Sequence, residues 1–204
     1  MRRKTDRLML AFHWATSLLV TATFAIGLVH AHTELIDESS AWLDIHRALG
    51  LGILALTVAR LLTRIRFGAI ENGSELTLPI RIASRATHFM IYACLLTMPL
   101  IGWAQSSAAT RHFKLFGTPF PALIHRNLEL SDTLSTWHIL VGWCFLSLIA
   151  LHALAALFHH YVLRDDVLMT MIPGRRRAPA PALVVEGIRP EWPDAERKPR
   201  RRAA

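Results

Sequence analysis

The stretch TWHILVGWCFLSLIALHALAALFHHY, residues 136–161, decides the architecture. The run over 134–158 is apolar enough to sit in lipid, yet His138 and His152 stand inside it. An imidazole among leucines costs free energy unless something is bonded to it. The fourteen residues from one histidine to the other advance about 21 Å along a helix and leave the side chains about 40° apart around it. One helix therefore presents an imidazole at each of two depths to the same side of a bundle.

Three more apolar runs precede this one, over 8–29, 42–62 and 83–104. Each of the four holds 21 to 25 residues, which matches a hydrocarbon layer about 30 Å thick at about 1.5 Å per residue. Of the 204 residues 52% are hydrophobic and only 19% charged, and the mean hydropathy of +0.33 is high for a water-soluble chain of this length. The expected fold is an all-α integral membrane four-helix bundle occupying residues 1–172. The first run has no small-x-small cleavage pattern and is followed by three further spans, so it reads as a retained helix and not a signal peptide. Cys94 and Cys144 both fall inside apolar runs and form no disulfide framework. No C-x-x-C-H occurs, so any haem would be held without thioether links. The net charge of +8 comes from basic residues flanking the spans, which points to a lipid surface and away from nucleic acid.

Orientation follows the arginines and lysines. Arg2, Arg3, Lys4 and Arg7 precede span one, Arg64, Arg66, Arg81 and Arg85 join spans two and three, and Arg164 and Arg175 to Arg177 follow span four. The first loop has none and carries Glu34, Asp37 and Glu38 instead. Both termini therefore belong in the cytoplasm, with the acidic loop and the long connection over 105–133 outside. In that connection Phe113, Phe116, Pro119, Phe120 and Pro121 are suited to the membrane interface. Pro99, near the outer end of span three, predicts a bend or local opening. Residues 173–204 are rich in Pro, Ala and Arg with no periodic core face, and read as a disordered basic cytoplasmic tail.

Depth pairs the histidines. His13 lies five residues past the inner end of span one, and His152 six before the inner end of span four; His46 and His138 each lie four residues from an outer end. The match sets His13 with His152 at an inner site and His46 with His138 at an outer one. Haem b fits such an arrangement, because its iron takes two axial imidazoles and its macrocycle fills apolar space between helices. Two of them form a route for electrons across the membrane. Taken singly, each histidine has an ordinary reading as a satisfied polar residue at a helix interface. His88 lies at the inner depth on span three, and spacing leaves it in competition for the inner site. Zinc has neither a thiolate nor a carboxylate beside these histidines.

Around the four, Gly50, Gly52 and Gly142 allow close approach of a porphyrin or simply of a neighbouring helix. Thr16, Ser17 and Thr57 are candidates to satisfy backbone or imidazole groups. His159 and His160, at the inner end of span four, can handle protons for a quinone or merely anchor the helix at the interface. Arg60 can neutralise a haem propionate, hold a quinone carbonyl, or snorkel to lipid phosphate. Outside, Arg111, Lys114 and Arg126 form a basic patch that would attract a small anion such as superoxide.

The stretches RLMLAFHWATSLLV, IHRALGLGILALTVARLLTRIRF, THFMIYACLLTMPLIGW, WHILVGW and LHALAALFHHYVLRDDVLMTMIP cover nearly all of positions 7–173. In these the chain resembles the bacterial cytochrome b561 family of four-helix, dihaem inner-membrane proteins. The resemblance implies haem ligation by His13 and His152 inside and by His46 and His138 outside, and gives His88 no ligand role. It also implies a quinone beside His159 or His160. One member of that family is a superoxide oxidase, which passes electrons from periplasmic superoxide through its haems to ubiquinone. Two positions depart from the pattern. Ile139 stands where the family commonly has a carboxylate, and Leu130 where that member has an arginine.

The expected function is electron transfer between a periplasmic donor, superoxide among the candidates, and membrane ubiquinone, with two haem b groups as cofactors. Two alternatives stand beside it. One is a haem-b membrane anchor that receives electrons from a redox partner subunit, and the other is a non-redox transporter whose histidines relay protons.

Overall fold

The computed structural model describes residues 2–33, 41–68, 77–110, 114–115 and 118–172. Four long helices dominate it: α1 (Arg2–His32), α2 (Ala41–Phe67), α3 (Leu78–Ala108) and α4 (Leu128–Phe158). Each contains one of the predicted spans; α1, α2 and α3 run past both ends of theirs, and α4 past the outer end of its own. Only 11% of the most apolar window of each helix is buried within the protein. Leu18, Leu62, Ile65 and Leu154 are among the large apolar side chains left facing outward. A water-soluble bundle would hide such a surface, whereas lipid accepts it, and the chain is accordingly a multi-pass membrane protein.

Close backbone packing joins α1 to α2, α2 to α3 and α3 to α4. The internal core is thin, with Val20 from α1, Ile53 from α2, Cys94 and Leu95 from α3 and Phe145 from α4. Phe24 and Phe145 bring α1 and α4 together with ring centres 6.0 Å apart. Elsewhere α4 meets α1 and α2 through imidazoles, as described below. Pro99 sits inside a continuous α3; its missing N–H removes the donor that would otherwise serve the carbonyl of Leu95.

The third connection is shorter than expected, 109–127, because α3 persists to Ala108 and α4 starts at Leu128. It contains a two-residue hairpin, β1 (Lys114–Leu115) with β2 (Thr118–Pro119), a small departure from an all-helical chain. Trp103 Nε1–H donates to the carbonyl of Pro121 (3.0 Å), and the Leu123 amide donates to Ser107 Oγ (2.9 Å). The Asn127 amide bonds the Ala108 carbonyl, and its side chain caps α4 by accepting from the Leu130 amide (3.0 Å). Phe120 packs on Trp103 with ring centres 5.1 Å apart, so it is held by α3. Arg111, Phe113 and Phe116 lie outside the described residues, as do Glu34, Asp37, Glu38 and the whole 173–204 tail.

At the opposite face, α4 continues into a π-helical turn, His159–Leu163. Arg164 then takes a left-handed conformation (φ 54°) that reverses the chain. A short 3₁₀ turn, Leu168–Met171, follows. Trp14 Nε1–H donates to the Met171 carbonyl at 2.8 Å, fastening this strap to α1 beside His13.

Candidate functional site

Helix rise and rotation bring the four histidines into two groups at opposite ends of the bundle. At the inner end His13 of α1 faces His152 of α4 with ring centres 6.4 Å apart. At the outer end His46 of α2 faces His138 of α4 at 6.2 Å. The pairs expected from depth alone are the pairs brought together. Imidazole nitrogens bind first-row metals at about 2.0–2.1 Å, and a ring radius of about 1.1 Å on each side puts opposed ring centres about 6.2–6.4 Å apart. Both pairs lie close to that spacing. His88 approaches His152 to 5.1 Å, about 1 Å too close for the same geometry. Among the described residues no group of three or more His, Cys, Asp or Glu side chains is placed to hold a metal ion.

The outer pair opens on a cavity of about 590 Å³, within the roughly 300–1,000 Å³ usual for small-molecule and cofactor sites. Its walls are largely apolar, and Gly50 lines it with nothing within 4 Å of where a Cβ would stand. A side chain at Gly50 would project into this open space. The other two glycines singled out in the sequence serve helix packing: a Cβ at Gly52 would meet Leu19 at 3.8 Å, and one at Gly142 would meet Met98 at 3.6 Å. His46 Nδ1 lies 3.0 Å from the carbonyl of Thr23 on α1, a bond that fixes its tautomer and leaves Nε2 to face His138. The Nδ1 of His138 is buried and makes no bond of standard geometry. Arg47, which the sequence reading passed over, also lines this cavity; its guanidinium holds Asp44 at 2.7 Å and its side chain is 13% exposed. The signal for it was present as the charged residue directly after His46. Ile139 is exposed and also lines this cavity, and Leu130 and Arg126 are exposed.

Around the inner pair, Trp14 packs edge-on to His13 with ring centres 5.5 Å apart. Arg60 of α2 is half-buried, near enough to act electrostatically on both His13 and His152. Its guanidinium and that of Arg64 lie over Tyr92, at 5.6 and 5.9 Å from the ring centre. Aromatic stacking, absent from the sequence reading, thus orients Arg60. Ser17 donates to the carbonyl of His13 at 2.9 Å, as a backbone-satisfying residue should. Thr16 and Thr57 do not fulfil that expectation: their buried hydroxyls have no partner, nor has that of Tyr92.

Seven residues after His152, His159 returns to within about 20° of the same helix face, about 10 Å further along. Its Nδ1 lies 2.5 Å from Asp165 Oδ2, while Asp165 Oδ1 accepts from the Val167 amide at 3.0 Å. The Asp165 amide in turn donates to the His159 carbonyl at 3.1 Å. His160 is turned away from that face and stacks edge-on with Tyr161, ring centres 4.9 Å apart. The carboxylate clamp was not foreseen, because Asp165 reaches His159 only through the reversal at Arg164.

Comparison with known proteins adds to this geometry. A model of the family described as prokaryotic cytochrome b561 matches residues 4–174. The chain is 30% identical over 177 residues to a "Probable superoxide oxidase CybB" of Yersinia pestis, covering 86% of this chain and 99% of that protein. It is 28% identical over 170 residues to "Cytochrome b561 homolog 2" of Escherichia coli K12, covering 79% and 87% of the two chains. Against "Cytochrome b562" of Cereibacter sphaeroides it is 25% identical over 181 residues, covering 83% and 95%.

Proposed function

The chain belongs to the prokaryotic cytochrome b561 family, and from that premise we propose that it carries two haem b groups and moves electrons from superoxide outside to ubiquinone at the inner face. A haem b protein of this family works in electron transfer, which replaces the proton-relay transporter reading. Haem b, when bound, would supply one-electron transfer. His13 with His152 would hold the inner group and His46 with His138 the outer one. The observation that carries this reading is the near-equal ring separation of the two pairs, 6.4 and 6.2 Å, each suited to a metal between opposed imidazoles.

The residues around the pairs divide the remaining work. Arg47 at the outer cavity and Arg126 on the external connection supply positive charge where a small anion arrives. Each superoxide gives up one electron and leaves as dioxygen. Ubiquinone takes two electrons and two protons to become the quinol, so two superoxide ions balance one quinone. At the inner face His159, on the same side of the helix as His152, takes up a second proton and, as the imidazolium, donates it from Nε2 to a quinone oxygen, returning to the neutral ring with its remaining proton on Nδ1. Asp165 holds its Nδ1–H and so fixes the tautomer and ring orientation. His160 lies at the water boundary and passes protons in from the cytoplasm. Arg60, braced on Tyr92, presents its guanidinium to the quinone carbonyl or to a propionate of the inner haem. The likeness to a protein named as a probable superoxide oxidase supports the donor. Of the two departures, Leu130 is exposed away from the outer cavity, whereas Ile139 lines it beside His138.

The test is a pyridine-haemochrome assay on the purified full chain with and without His152→Ala, followed by turnover with superoxide and ubiquinone. Two haems per chain, one of them lost in the variant, and quinol formation by the isolated wild type are expected. Fewer than two haems in the wild type sinks the ligand assignment. Two haems without turnover, together with a co-purifying redox subunit, would make the chain a membrane anchor instead.

A further inference from the structure

Two glycines on different helices press against the two outer imidazoles. A Cβ added at Gly27 of α1 would stand 3.3 Å from Cε1 of His46, and one at Gly102 of α3 would stand 3.1 Å from Cε1 of His138. Both distances are shorter than ordinary van der Waals contact between carbons. In an α-helix a side chain leans toward the N-terminus and covers the turn before its own Cα. The surface uncovered by Gly27 is therefore the turn that holds the Thr23 carbonyl, four residues earlier, and this is the carbonyl His46 Nδ1 reaches at 3.0 Å. The surface uncovered by Gly102 holds the carbonyl of Met98, again four residues earlier, and the Met98 backbone lies beside the His138 ring. His138 Nδ1, buried and unbonded, is the group that this carbonyl would satisfy. Chance placement of one glycine has an ordinary packing explanation. The same carbonyl-to-glycine spacing on two helices, each facing the Nδ1 side of one member of a pair, has a chemical one.

We infer that Gly27 and Gly102 are positioning residues for the outer haem: their bare Cα atoms let His46 and His138 lie against the neighbouring helices and donate Nδ1–H to the Thr23 and Met98 carbonyls. The inference rests on the assignment of His46 and His138 as the outer ligands. A ligand imidazole that donates from Nδ1 becomes a stronger electron donor at Nε2, which favours the oxidised iron and lowers its potential. A methyl group at either glycine pushes the ring away from the carbonyl while the metal holds its far side. The bond lengthens, the imidazole loses basicity, and the reduced form gains.

The experiment uses Gly27→Ala and Gly102→Ala in the haem-loaded full chain, with Gly52→Ala as the control because its added methyl meets only Leu19 at ordinary contact distance. Haem content, the low-spin ferric EPR signals and redox titration of both centres are read. At fixed ambient potential the reduced-to-oxidised ratio of the outer haem should rise about tenfold in either variant, the lower end of the effect of removing such outer partners. That corresponds to about 59 mV for a one-electron couple. The inner haem and the control should keep their values. Selective loss of the outer haem would also support the inference, since the ring then fails to seat. An outer haem that titrates as in the wild type in both variants overturns it, as does an equal shift of both haems. If the variants do not assemble, ENDOR of exchangeable protons on the wild type decides: a hydrogen-bonded Nδ1–H on both outer ligands is expected, and an Nδ1 without a proton overturns it. A wild type with fewer than two haems would instead remove the ligand assignment beneath the inference.

Discussion

Replacing Asp165 with asparagine should slow quinone reduction while leaving both haems in place. The side chains of His159 and Asp165 are only 13% and 21% exposed, so solvent screens their 2.5 Å contact weakly. Asparagine keeps an Oδ1 for the Val167 amide and hence preserves the turn. Toward His159 it presents an amide N–H where the carboxylate accepted one, and the imidazole must flip its tautomer so that Nδ1 accepts. Nε2 then holds its proton without the carboxylate that stabilises the charged ring, and proton delivery loses its supply cycle. A hydrogen bond to a charged group contributes about 1.5–3 kcal/mol. At about 1.4 kcal/mol per tenfold, the turnover number with ubiquinone should fall roughly 10- to 150-fold. The assay is stopped-flow: haem reduction by the external donor should keep its wild-type rate, and reoxidation by quinone should carry the whole loss. Wild-type reoxidation in Asp165→Asn would refute the role given to the clamp. Slowed haem reduction would place Asp165 in a structural role.

Two other perturbations separate readings that share the same residues. His88→Ala should retain two haems per chain and an unchanged spectrum, because the 5.1 Å approach of His88 to His152 is too short for opposed ligation; loss of a haem in that variant would return His88 to the inner site. Thr57 is 1% exposed with an unbonded hydroxyl, a group that costs about 1–3 kcal/mol when left unsatisfied. Thr57→Val should therefore raise the thermal midpoint or leave it unchanged, and a clear fall would show that the hydroxyl has a partner in the haem-loaded protein.

The pairing of the histidines was legible because helix rise and membrane thickness are nearly constant, so counting residues from each span end is a measurement of depth. The same arithmetic could not exclude His88, which differs from His13 in distance and not in depth. Gly50 was found because it follows His46 by one turn. Gly27 and Gly102 were missed, since no rule along one helix points to a ring carried by another. The Asp165 clamp and the Met171 strap depend on the left-handed turn at Arg164, a residue with no glycine-like signature for such a conformation. Thr16 and Thr57 were read as hydrogen-bonding groups from polarity alone, and burial without a partner is a property of packing that the sequence does not display.

The bond from Trp14 to the Met171 carbonyl joins positions 157 residues apart, and both imidazole pairs likewise draw one member from α4. Among the four described helices, α1 therefore waits for α4. Neither imidazole pair is complete until the fourth span has been released from the translocon, and the inner one is strapped only when the turn beyond it has emerged. If the paired imidazoles hold haem, its capture is tied to the emergence of the fourth span, and a chain truncated before that span should enter the membrane colourless.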